Sequence, residues 1–267
     1  MNDHLLSLFA NLYLSLDQKP RLTIITFHRV AGNYSIQRHH IREQLSYIAK
    51  HFDMVLPSQL SLTNSSKRIA KITIDDCHAD IYQHIYPITK ALHVPIVICV
   101  PTDFFLRAEW LWFDKLYWIL SQAKPGTEFS GVNWRLRVGC KKSLATFKKM
   151  LKDSSQEARD NIIKWLAEEI NCTVPSSPTS DYRPVSKGEM AEMLNSGLVE
   201  ICAHTVTHPI VTKLPDAALQ YELESAKNDL EEYTGNEIVS FCYPNGGVGD
   251  FDTRTTNAVR LAGYKLA

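Results

Sequence analysis

The stretch Lys71-Ile72-Thr73-Ile74-Asp75-Asp76-Cys77-His78-Ala79-Asp80 decides the fold. The β-branched run Ile69 to Ile74 predicts a short buried strand. It ends in two adjacent carboxylates. In a parallel α/β sheet, ligands collect beyond the carboxyl ends of the strands. Asp75 and Asp76 therefore stand where catalytic groups stand. Taken alone, an Asp-Asp pair reads as a solvated turn that caps the next helix. It becomes a site only if metal partners occur elsewhere in the chain.

Those partners lie in Glu200-Ile201-Cys202-Ala203-His204-Thr205-Val206-Thr207-His208-Pro209. This is a second strand ending in a polar turn. On one turn of helix, the spacing of His204 and His208 would put both imidazoles on one face. Two His and one carboxylate, with positions left open for water, make a catalytic type of metal set.

Ile72-Thr73-Ile74-Asp75-Asp76 resembles the Thr-Phe-Asp-Asp-Gly motif of the polysaccharide deacetylases, the carbohydrate esterases that remove N-acetyl groups from sugar polymers. His204 to His208 resembles their His-Ser/Thr-x-x-His motif. Phe241-Cys242-Tyr243-Pro244-Asn245-Gly246 resembles their third motif, Leu22 to His28 their opening strand, and Ala262-Gly263-Tyr264 a late segment. The ordered set runs from about Leu22 to Ala267 and is more specific than any one motif.

The resemblance implies a distorted (β/α) barrel of parallel strands, a catalytic domain over 21–267 that could be incomplete at its C-terminal end. It implies that Asp76, His204 and His208 hold a divalent metal, with Zn2+ the expected ion, and that Asp75 is the general base. Tyr243 and Asn245 would flank the oxyanion. The substrate would be an N-acetylated carbohydrate, in surface polysaccharide metabolism. The alternatives are a glycan-binding domain that has lost turnover and a metal amidase acting on small amides.

Three departures from the family pattern stand out. Cys77 replaces the usual Gly, and if that turn needs positive φ it is strained by about 1 kcal/mol. Cys242 occupies the place of the Arg that holds the base. No His follows His208, so the late Leu-His segment that carries the acid has no counterpart. His28, at the end of the first strand, is the remaining strand-end histidine. It is either the acid or a rim group that orients a loop. Asp80 and His84 read as surface groups on the helix that follows the motif.

The remaining chain alternates strand and helix. Ile41, Leu45, Ile48 and Phe52 mark a helix within 36–52, and Pro87 interrupts another over 81–92. Pro95 to Val100 is a doubly buried strand. Ser186-Lys187-Gly188-Glu189 is a capping box. Residues 103–185 read as a helical insertion with one helix near 156–170. Its aromatics offer Trp112 as a sugar platform, or else form a small core.

The 267 residues carry 29 basic and 29 acidic side chains, a balance that gives no pull toward nucleic acid. No apolar run reaches the ~20 residues of a membrane span. Residues 1–20 read as an amphipathic helix. The six cysteines form no C-x-x-C pair, which fits a reducing, cytoplasmic compartment.

Overall fold

Period-two alternation along four parallel strands sorts the core into two faces. The computed structural model describes residues 22–29, 38–62, 68–179 and 181–267. The helix expected over 1–20 and the loop at 64–66 lie outside the described residues. Strand β1 (Leu22–Phe27) runs parallel to β3 (Ile69–Ile74), β3 to β4 (Ile96–Val100), and β4 to β7 (Val199–Ala203). The short β2 (Asp53–Met54) pairs with the first residues of β3, and β4 pairs with its last two. Parallel bridges Ala203–Phe241 and Ser240–Leu266 carry the sheet onward. This is the parallel α/β sheet expected from the sequence.

Ile72, Ile74, Ile96, Ile98, Ile201 and Ala203 point toward the helices. There they meet Ile41, Leu45 and Ile48 of α1 (Arg38–His51), Ile88 of α2 (Tyr86–Leu92), and Met190 and Met193 of α7 (Lys187–Asn195). Leu223 and Leu230 of α8 (Asp216–Thr234) and Val259 of α9 (Thr253–Leu261) complete this layer. Each fully buried Ile or Leu contributes about 1.5–3 kcal/mol. The alternate residues Val97, Cys99 and Cys202 face the other way and pack with Leu56 and Cys242. Thr26 and Thr73 join hydroxyls there at 2.9 Å.

Local signals act as the sequence predicts. Before Pro87 the chain makes a π-helical turn, Ile81–Ile85, and the Tyr86 N–H bonds back to the Ile81 carbonyl. The Ser186–Glu189 capping box starts α7, and Gly197, at φ +70°, ends it. Pro215 is the N-cap of α8, and Asp216 is its first residue.

The stretch 103–185 holds more than one helix. After α3 (Thr102–Arg107) come α4 (Trp112–Gln122), the antiparallel hairpin β5–β6 (Glu128–Ser130 and Arg135–Arg137), α5 (Lys141–Asp153) and α6 (Gln156–Glu169). Leu116, Ile119, Phe147, Leu151, Ile163 and Leu166 close a hydrophobic core of their own.

Candidate metal centre and active site

The site forms where β1, β3 and β7 end. Phe27 closes β1 on the inside, and its carbonyl accepts the Asp75 N–H at 3.0 Å. His28 follows and swings over both carboxylates. Its Nε2 lies 3.7 Å from Asp75 Oδ2 and its Nδ1 3.7 Å from Asp76 Oδ2. The His28 side chain is 63% exposed, whereas the carboxylates are buried. The neighbouring Asp76 carboxylate, against partial burial, raises the pKa of His28.

Consecutive strand residues point to opposite faces. Asp76 escapes that rule because its φ is +72°. The left-handed step turns its carboxylate back toward the imidazoles. Cys77 follows at φ +60°, the conformation in which a glycine would be unstrained. Its thiol is fully buried in the helix-side core.

Thr205 and His208 also have positive φ, at +67° and +58°. The segment carrying His204 and His208 is thus a loop, not the helical turn read from their spacing. Glu222 of α8 holds it. The buried Glu222 carboxylate accepts the N–H groups of Val206 and Thr207 at 2.7 and 2.9 Å and the Thr207 hydroxyl at 2.6 Å. The imidazole rings end 4.9 Å apart.

His204 Nδ1 donates to the Cys242 carbonyl at 2.8 Å. That bond fixes the tautomer and leaves Nε2 as a lone pair. This Nε2 faces Asp76 Oδ1 at 3.7 Å, and His208 Nε2 faces the same oxygen at 3.0 Å. Asp76 Oδ1 and His204 Nε2 are buried without a well-formed hydrogen bond. Two acceptor atoms aimed at each other in a dry site fit a cation between them. One ligand atom from each of Asp76, His204 and His208 lies within 4.8 Å of the others. Burial would raise the Asp76 carboxyl, but the imidazoles of His204, His208 and His28 outweigh it and hold it well below the carboxylate range.

Asp75 faces the thiol of Cys242, Sγ to Oδ1 at 3.8 Å. The Cys242 thiol is drawn down to about 6, chiefly by hydrogen bonding from Cys99 and against its own burial.

Tyr243 is half-buried, with its ring against Phe241 and Phe251. Asn245 Oδ1 accepts from Lys152 Nζ of α5 at 2.6 Å. Trp112 is not a platform. It is 6% exposed, packs in the insertion core and covers the Arg159 guanidinium at 4.8 Å. Its neighbour Phe113 is the aromatic at the site, edge-on to His208 at 5.2 Å. One residue along a helix turns a side chain by about 100°, so spacing alone could not choose between them.

Three further contacts had no signal in the sequence. His78 Nε2 and Asp114 Oδ2 of α4 make a buried pair at 2.6 Å. Arg29 reaches Asp80 at 3.5 Å and Asp114 at 3.6 Å. Asp80 is accordingly buried rather than a surface group.

Residues 141–267 match the sequence profile of the polysaccharide deacetylase family. That span includes both histidines and the Tyr243 turn. No curated protein matches the chain by sequence. Among solved structures, IcaB from Ammonifex degensii is 17% identical, with a TM-score of 0.59 over 92% of this chain and 82% of its own. The Streptococcus pyogenes deacetylase PplD, in complex with acetate, is 15% identical, with a TM-score of 0.59 over 93% and 84%. A de-N-acetylase from Aggregatibacter actinomycetemcomitans is 14% identical, with a TM-score of 0.54 over 91% and 85%. The three share the fold of this chain. The family profile thus matches residues 141–267, just under half of the chain, and the fold of these deacetylase structures extends over nine-tenths of its length.

Proposed function

We propose that the protein is a metal-dependent N-deacetylase acting on an N-acetylated glycan or glycan precursor. The observation that carries this reading is the convergence of His28, Asp75 and the Asp76–His204–His208 cluster at one end of the sheet. The polysaccharide deacetylase profile match over residues 141–267 supports deacetylation of a carbohydrate. The metal dependence, the ion and the biological setting are part of the proposal.

Asp76, His204 and His208 would hold the ion, which we take to be zinc. When bound, such an ion polarises the acetamide carbonyl and lowers the pKa of a nearby water toward about 7. Asp75 stays off the cluster and takes a proton from the attacking water at a carboxylate oxygen. A backbone N–H of the Tyr243–Asn245 turn would hold the developing oxyanion. His28, whose pKa is raised by Asp76, gives a proton to the departing amine nitrogen as the C–N bond breaks. Acetate and a free amine leave. The exposure of His28 supports this assignment, because the leaving sugar approaches from solvent. Cysteine usage supports a cytoplasmic setting for the same reading, in surface polysaccharide assembly.

The test is acetate release from N-acetylated sugar oligomers by zinc-loaded protein. Asp75→Asn should abolish release while zinc content stays at that of the wild type. Release that survives this change would remove Asp75 as the base. Zinc-loaded protein that releases no acetate from any N-acetyl sugar oligomer would end the reading.

A further inference from the structure

Behind the base lies a cluster of sulfur that the deacetylation chemistry leaves unused. Cys99 on β4 and Cys202 on β7 are partners in the strand register, and their sulfurs are 3.2 Å apart. Cys242 follows Phe241, which bridges to Ala203, and the Cys242 N–H bonds to the Ala203 carbonyl at 2.8 Å. Three neighbouring chain segments thus present thiols to one spot on the inner face. One ligand atom each from Cys99, Cys242 and Asp75 lies within 4.8 Å of the others.

Buried thiols often act only as small hydrophobes, and Leu56 and Val97 do line this spot. Two observations go further. The Cys99 sulfur meets that of Cys202 at 3.2 Å and lies within 4.8 Å of that of Cys242. Cys242 is only half-buried and adjoins the Asp75 carboxylate, so the cluster opens toward the active-site cleft. Its donors are also of a different kind from the Asp76–His204–His208 cluster. Thiolates favour Cu(I) as well as zinc, whereas a carboxylate beside two imidazoles offers no soft donor.

We propose that Cys99 and Cys242, with Cys202 beside Cys99, form a second cation site, for a soft thiophilic ion of the monovalent copper class. Binding forms sulfur–copper bonds, and each ligating thiol releases its proton to solvent. No electron is transferred. An ion there lies beside Asp75, so occupation disables the base; that consequence alone rests on the deacetylase reading.

The experiment titrates zinc-loaded protein with Cu(I), without oxygen, against a chromophoric Cu(I) chelator. The wild type should retain roughly one Cu(I) per chain while keeping its zinc. Cys99→Ser with Cys242→Ser should weaken retention by about tenfold or more, and Cys242→Ser alone, at the half-buried position, should weaken it in the same direction. Cys140→Ser with Cys172→Ser, distant from the cluster, should leave it unchanged. Copper retained equally by the Cys99/Cys242 variant, copper lost with the Cys140/Cys172 pair, or copper that displaces zinc would overturn the proposal. Zinc content and near-ultraviolet circular dichroism show whether each variant is folded. Acetate release by copper-free enzyme is scored separately, so failure of the deacetylase reading leaves the copper result standing.

Discussion

The sheet and the insertion contribute to the active site in different ways. The sheet delivers Asp75, Asp76, His28 and His204 from strand ends whose positions are fixed by register. The insertion sends Phe113 and Lys152 to the rim from helices built around a separate hydrophobic core. A strand end is fixed by ladders on both sides, and a helix rotates with its packing. The sheet therefore sets the chemistry, and the insertion sets what surrounds it.

The largest expected effect lies on the sheet side. His204→Ala should abolish zinc retention and acetate release together, because it removes a ligand and also frees the Cys242 carbonyl. Metal analysis beside the activity assay checks this. His28→Ala should lower turnover by about 10²–10⁴ with zinc content unchanged. A loss of stability with normal turnover per folded molecule would instead make His28 a rim group.

The insertion should respond in stability before chemistry. Trp112→Ala should cost about 3–5 kcal/mol in denaturant unfolding, the range for emptying a buried aromatic site. Phe113→Ala, one residue away, should raise KM more than it lowers stability. If Trp112→Ala mainly raised KM, the two roles would be reversed.

Glu222 links α8 to the histidine loop, so Glu222→Gln tests whether metal geometry depends on a distant helix. It should weaken zinc affinity by about 10–100-fold while global stability moves less. The smallest effect concerns the cap of α7. The Arg183 guanidinium grips Glu189 at 2.8 Å through both oxygens and, against some burial, pulls its carboxyl down from 4.5 to about 2. A folded value below the unfolded one adds stability that is complete above pH 4.5 and disappears as pH falls through about 2. The Tm gap between wild type and Glu189→Gln should follow that course.

How much could be read from the sequence divides along the same line. Strands β1, β3, β4 and β7 were readable because apolar runs ended in residues of contrasting chemistry. The meeting of Asp76, His204 and His208 followed from two such endings. The insertion was less readable, although α5 carries Leu144, Phe147 and Leu151 at helical spacing, a signal that its five lysines obscured. The Phe113 placement depends on helix rotation, and the His78–Asp114 pair joins segments 36 residues apart. Neither leaves a local pattern. The His204–His208 loop misled because a separation of four also suits a helix, and only the tether to Glu222 and two left-handed residues produce the observed turn.

Asp76, with its φ of +72°, carries a consequence for anyone who would transplant this centre into another scaffold. Two adjacent carboxylates face different partners here, Asp75 the Cys242 thiol and Asp76 the imidazoles, through the handedness of one backbone step. A search that matches side-chain identities alone would accept scaffolds in which the pair splays to opposite sides of a strand. The torsion belongs in the specification alongside the residues, and so does a neighbour able to tolerate it, as Cys77 does at φ +60°.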